Sequence, residues 1–242
     1  MTTFQRARSE EQREARRRAI LDTAAAMLAE MPVAEVTLNE LSRRVGLAKS
    51  NVLRYFESRE AVLLELLDAA WQDWLADLAK RLASAPRTDA NEGEVADDDR
   101  AASTDAAVTA ARAEQLAGIL VGSLTDRPVL CDLLSAQSAV LERNVSPVVA
   151  ATYKRAAIAN VGAVARLALA HVPELGEQDA MKFAGAAVMV TGALWSSTQP
   201  SAAMLVAYES DPALAVMRLD FASTLREVLE VLIAGLLARP SA

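Results

Sequence analysis

The sequence predicts an all-α chain: an N-terminal three-helix module built on a helix-turn-helix, followed by a larger helical domain. Three observations carry that expectation. Alanine, leucine, glutamate and arginine dominate the 242 residues, while β-branched clusters are few, a mixture that favours helix. Between Thr37 and Arg59, two short apolar periodicities flank a glycine. Beyond Ala106, long segments with apolar residues at helical spacing succeed one another, punctuated by Pro147, Pro173, Pro200 and Pro212.

Taken in order, residues 1–12 are polar and expected to be mobile. A helix is expected from about Arg13 to Glu30, with Ile20, Ala24, Met27 and Leu28 on one face and Pro32 beyond its end. Arg6, Arg8, Arg13, Arg16, Arg17 and Arg18 crowd its start. They fit either flanking phosphates or a solvated helix end balanced by Glu10, Glu11 and Glu14. Next, Leu38, Leu41 and Val45 recur at helical spacing, Gly46 breaks the pattern, and Ala48, Val52 and Phe56 restart it. Two helices joined by a tight turn result. On the second, Ser50, Leu53 and Arg54 face away from the apolar stripe, with Lys49 and Asn51 beside them. Such a helix has the make-up to enter a major groove, although an αα-corner with a merely wetted polar face fits the same pattern.

Ser58 suits the N-cap of a long helix reaching about Leu82, with Leu63, Leu67, Ala70, Trp74 and Leu78 as its stripe and Trp71 nearby. The acidic tract 86–105 has almost no large apolar residue and reads as a flexible loop. Its Asp97, Asp98 and Asp99 lack the spacing, glycine and closing glutamate of a calcium loop. Helices are then expected near 106–124, 127–143, 147–171, 177–197 and 201–209. Asp211 and Pro212 would open a last one reaching about Ala238.

Charge and chemistry narrow the function. The net charge is −7, yet Lys and Arg outnumber Asp and Glu 11 to 9 through Glu60 and trail 14 to 23 after it, so any polyanion would meet the N-terminal part. Cys131 is the single cysteine and suits a small buried hydrophobe in a reducing cytosol; His171 is the single histidine, at a helix end. No Ser/His/Asp order, HExxH, CxxC or phosphate loop is present, so the reading is a non-enzyme with no cofactor and no metal. No apolar segment approaches the ~20 residues that span a bilayer, and a cytoplasmic protein with no membrane partner is expected.

The run GLAKSNVLRYFESREAV, Gly46 to Val62, resembles the signature of the TetR family of transcriptional regulators, in which a recognition helix ends in Tyr-Phe. Leu53 stands where most members carry an aromatic, and Asn51 where a Thr is more usual; a subset of the family reads Asn-Leu-Leu where this chain has Asn51-Val52-Leu53. The resemblance implies a DNA-binding domain over 1–60 and an effector-binding and dimerisation domain over 61–242. It implies base contacts from Lys49, Ser50, Asn51 and Arg54, and phosphate contacts from Thr37, Tyr55 and Arg59. It also implies dimerisation through the two terminal helices. The residues point the same way, because helix 177–197 is apolar nearly all round and the last helix carries more than one apolar stripe. Val188 and Leu225 are expected on opposite faces of that pair.

Polar or aromatic residues inside otherwise apolar helices, Trp71, Trp74, Tyr153, Asn160, Thr191 and Trp195, are the candidates for holding a small apolar or aromatic effector; each also fits a satisfied core position. The expected function is a homodimeric repressor that binds double-stranded operator DNA and is released by the effector. The alternative is a helical ligand-binding protein or enzyme without sequence-specific DNA binding.

Overall fold

The computed structural model describes the backbone of residues 2–86 and 98–239, with side chains over 10–86 and 104–239. Eleven α-helices carry it: α1 (Thr2–Glu30), α2 (Leu38–Val45), α3 (Lys49–Val52), α4 (Arg59–Ser84), α5 (Asp98–Thr125), α6 (Pro128–Ala136), α7 (Pro147–His171), α8 (Gly176–Ser197), α9 (Ala202–Ser210), α10 (Pro212–Ala215) and α11 (Phe221–Leu237). Among the described residues there is no strand.

Most helix limits follow local signals. Pro147 opens α7 and Ser201 caps α9, its hydroxyl accepting from the Met204 amide at 3.3 Å. Other limits depart from expectation. The first helix starts at Thr2 rather than near Arg13, because no glycine or proline interrupts that run of strong helix formers. Helix α5 reaches back to Asp98, into the tract expected to be a loop, since the alanine-rich sequence propagates helix. Residues 87–97, Asp97 included, lie outside the described residues. The helix expected over 127–143 changes to a π-helical stretch at Gln137–Leu141. The expected last helix is broken after α10. Asp220, whose carboxylate accepts from the Ser223 amide at 2.9 Å, caps a new start for α11.

Two compact units result: Met1–Ala70 with Ala136–Ala156, and Trp71–Ser135 with Ala157–Ala242. This grouping differs from the expected division at residue 60. In unit 1, Ile20, Ala24 and Met27 of α1 are fully buried, as are Leu41, Val52, Val62, Leu63 and Leu67, so the expected α1 face is a core face. At about 25 cal/mol per Å² of apolar surface, each of these Ile, Met, Leu and Val side chains contributes roughly 1.5–3 kcal/mol, and Ala24 less.

In unit 2, α11 packs on α5 and α8. Phe183, Leu225, Leu229 and Ile233 are fully buried there. Helix α8 passes so close to the end of α6 that a Cβ at Gly192 would meet the Leu134 carbonyl oxygen at 3.0 Å, which accounts for glycine at that position. An ion-pair cluster joins Arg81 to Asp77 at 2.7 Å and Asp126 at 2.8 Å, with Arg127 to Asp77 at 3.0 Å. Cys131 is buried; desolvation, with Asp132 nearby, pushes its thiol up to about 12, so it stays protonated. No single described helix is long and apolar enough to cross a membrane.

Candidate functional site

The motif expected to read DNA is assembled by short-range bonds. Thr37 caps α2, its hydroxyl accepting from the Glu40 amide at 3.2 Å. Glu40 receives Arg43 at 2.6 Å and Arg44 at 2.8 Å, and these hydrogen bonds hold its carboxyl down to about 2. At the other end Gly46 adopts φ 72°, and the Gly46 and Leu47 amides donate to the Arg43 and Ser42 carbonyls at 3.3 and 3.0 Å. That double closure needs a left-handed residue, which glycine supplies without a Cβ clash.

Helix α3 is shorter than the apolar spacing suggests. After Val52 i+3 bonds enter, with the Arg54 amide on Asn51 at 3.2 Å and the Tyr55 amide on Val52 at 2.9 Å, beside an i+4 bond from the Phe56 amide to Val52 at 3.1 Å. The division of faces is nevertheless the expected one. Val52 and Phe56 are buried, while Lys49, Ser50, Asn51 and Arg54 are exposed, Thr37 is exposed, and Tyr55 is half-buried. Leu53 lies on the outer face too, 40% exposed. Ser58 then caps α4, accepting from the Ala61 amide at 3.1 Å.

Two arginines are engaged otherwise than expected. Arg59, expected on a phosphate, donates to the Val36 carbonyl at 2.9 Å and pairs with Glu60 at 3.1 Å. Its guanidinium is thus committed inward, holding the segment before α2 against the start of α4. Arg17, one of the arginines that crowd the start of α1, expected on phosphates or at a solvated helix end, makes a bidentate pair with Glu65 and lies 4.6 Å from the Phe56 ring centroid. Arg13, Arg16 and Arg18 remain exposed.

Sequence reasoning missed a set of groups around the end of the motif. The Glu57 carboxylate accepts from the Ser146 amide, which holds its carboxyl below the ordinary value. Buried Glu60 accepts from Asn144 at 3.1 Å, and Glu142 accepts from Gln137 at 3.0 Å and Lys154 at 2.7 Å. These pairs lie more than eighty residues apart in two cases, so no spacing rule announces them.

The six effector candidates do not form one site. Trp71 and Trp74 stack edge to face at 5.1 Å, and the Trp74 indole donates to Ser123 Oγ at 2.9 Å. Both tryptophans and Thr191 line one void with Leu120, Leu134 and Val188, but its volume is about 10 Å³. Thr191 spends its hydroxyl on the Ala187 carbonyl at 2.7 Å. Asn160 is a buried core residue accepting from Gln72 at 2.8 Å, and Trp195 meets the Phe221 ring at 5.1 Å. Tyr153 belongs to unit 1, where it lines a cleft of about 550 Å³.

A family model described as bacterial regulatory proteins, tetR family, matches residues 20–66. A second, described as tetracyclin repressor-like, C-terminal domain, matches residues 68–240. The HTH-type transcriptional regulator EthR of Mycobacterium tuberculosis (strain CDC 1551 / Oshkosh) is 42% identical over 50 residues, 21% of this chain and 23% of that protein. Regulators of the same name from M. tuberculosis strain H37Rv and from Mycobacterium bovis match to the same extent. The chain therefore matches less than a quarter of the length of these curated relatives. With a capped helix-turn-helix at one end, a helical domain at the other, and both covered by family models, the chain belongs to the TetR family of bacterial regulatory proteins, which are DNA-binding transcriptional regulators.

Proposed function

We propose that this protein is a homodimeric repressor whose α3 reads an operator and whose unit 2 responds to a small apolar or aromatic effector. The observation that carries the DNA-reading half is the division of α3: its anchoring residues are buried and Lys49, Ser50, Asn51, Leu53 and Arg54 all stand outward. Lys49 and Arg54 supply donors for guanine edges, Asn51 suits adenine, Ser50 suits either base, and Leu53 suits a thymine methyl group. Thr37 and Tyr55 flank them as phosphate contacts; Arg59, turned inward, drops out of that set. The test is a gel shift on the DNA upstream of the protein's own gene. Arg54→Ala and Lys49→Ala should each cost about 1–3 kcal/mol, roughly 5–150-fold in affinity. Unchanged binding in both variants would remove α3 as the reader.

The dimer reading rests on an outward stripe at i, i+4 and i+8 of α8. Met181 is 48% and Met189 71% exposed, and a Cβ at Gly185 between them would meet nothing. On α11, Val231 is 66% exposed. Apolar surface of this kind on two neighbouring helices is what a second subunit would cover. Of the two positions expected to test opposite faces, Leu225 is fully buried and Val188 is half-buried and lines the void, so a charge at either would disturb unit 2 itself as well as any interface. Met189→Glu and Val231→Glu should instead convert a dimer at micromolar concentration to monomer with the fold intact. A monomeric mass for the unmodified protein by light scattering would end the proposal.

The effector reading rests on the Trp71, Trp74 and Thr191 void, which must open to admit a ligand because typical sites hold about 300–1,000 Å³. Any effector that releases DNA must weaken operator binding by the factor by which operator weakens its own binding, typically about 5–150-fold.

A further inference from the structure

The cleft of about 550 Å³ lies entirely within unit 1, and no residue of the Trp71–Thr191 void takes part in it. Its walls come from the end of the helix-turn-helix, the first half of α4 and the start of α7. Its size falls within the range of small-molecule sites, about 300–1,000 Å³.

The lining has a definite chemistry. Tyr55, Phe56 and Tyr153 supply three rings, and Leu64, Val148 and Val149 supply aliphatic surface. Val148 stands largely exposed at the cleft. Three carboxylates, Glu57, Glu65 and Asp68, face a single arginine, Arg17, whose guanidinium already makes a bidentate pair with Glu65. Lys154, beside the Tyr153 ring, is itself paired with Glu142 at 2.7 Å, so the balance of charge remains negative, which disfavours an anion and favours a cation. The rings point the same way. A cation already lies against two of them: Arg17 at 4.6 Å from the Phe56 centroid and the Lys154 ammonium at 5.6 Å from that of Tyr153. Aromatic faces attract positive charge, and the attraction strengthens as water is excluded. Burial, with Glu142 and Asp68 close by, pushes the Tyr153 phenol up, so this ring stays neutral and adds no competing charge.

We propose that this cleft is a binding site for a hydrophobic organic cation, with the aliphatic and aromatic walls taking its body and the carboxylates holding its charge. A ligand here would touch Tyr55 and Glu57, which bracket Phe56 at the end of the motif. Occupancy would shift the Tyr55 side chain and disturb the Glu57–Ser146 hydrogen bond. Its effect on operator affinity rests on the DNA-binding reading above; binding itself does not.

The experiment is equilibrium dialysis of the full-length chain without DNA, using tetraphenylphosphonium and its oppositely charged counterpart of the same shape, tetraphenylborate. The phosphonium should bind saturably, one per chain, and the borate at least about tenfold more weakly. Asp68→Asn and Tyr153→Leu should each weaken the phosphonium by about 3- to 30-fold, the span of a ring or charge contact that is partly desolvated. Asp68→Asn is close to isosteric and keeps the test valid if Tyr153→Leu unfolds. Val206→Ala, at an exposed apolar position of unit 2, should leave binding unchanged. Equal binding of both probes, no saturable binding of the phosphonium, or loss of binding in Val206→Ala with none in Asp68→Asn would overturn the proposal. A protein that takes up the phosphonium but shifts no DNA would instead refute the DNA-binding reading alone.

Discussion

The cleft of unit 1 and the void of unit 2 are both walled by aromatic side chains, yet one holds about 550 Å³ and the other about 10 Å³. The difference lies in what positions their walls. Around the cleft, directional bonds do so: Arg17 to Glu65, Asn144 to Glu60, Ser146 to Glu57. A group held by a hydrogen bond need not be filled in behind, and charged heads keep solvent nearby. Around the void, apart from the Trp74–Ser123 and Thr191–Ala187 bonds, leucine, valine and tryptophan surfaces hold each other by contact, and such packing is stable only when space is used up. Space for a ligand therefore survives in the cleft beside the motif and not in the void between Trp71, Trp74 and Thr191.

Substitutions can break that contrast, and the largest effect is expected in the bundle. Trp74→Ala removes a buried ring, and the cost should be about 3–5 kcal/mol in urea unfolding, since the lining can collapse only in part. Added indole should restore part of that stability by refilling the new cavity. A cost under about 1 kcal/mol would mean that the void is not close-packed. On the other side, Thr37→Ala should cost only about 1 kcal/mol, the usual loss for an N-cap, although it lies in the motif itself. Urea midpoints compared at unchanged slope would check it.

The smallest expected effect is on Glu57, whose exposed position makes it a reporter rather than a support. Its carboxyl is held below the ordinary 4.5 chiefly by the Ser146 amide. A depressed folded value means that its contribution is present above the unfolded value and is lost as pH falls through the folded one. The Ser146 amide proton resonance should accordingly titrate with a midpoint below 4.5, and that step should vanish in Glu57→Gln. A midpoint at or above 4.5 would show that the link between the motif and residue 146 is not made in solution.

Much of this architecture is written in short stretches of sequence. Thr37, Gly46 and Ser58 each act within three to five residues, so caps and the turn of the motif are legible without any fold. The same holds for Pro147 at the start of α7, and for the burial of Ile20, Ala24 and Met27 against the exposure of Ser50 and Arg54. Where local signals compete, reading becomes less secure. Alanine propensity extended α5 to Asp98, and Asp220 restarted a helix that Asp211 and Pro212 had opened.

By itself, then, the sequence determined the helical class, the helix-turn-helix, its outward face and the family signature, all of which depend on periodicity and on residues a few positions apart. Only the tertiary structure decided that Arg17 and Arg59 turn inward, that Glu57 and Glu60 meet residues 146 and 144, and that Leu225 is core while Met189 is surface. It also decided that Trp71, Trp74 and Thr191 close on one another while Tyr153 borders an open cleft. The physical reason is common to these cases. An arginine or a tryptophan has the same local pattern whether it faces solvent, a carboxylate or a ring, and its partner is chosen by chain that returns from far along the sequence.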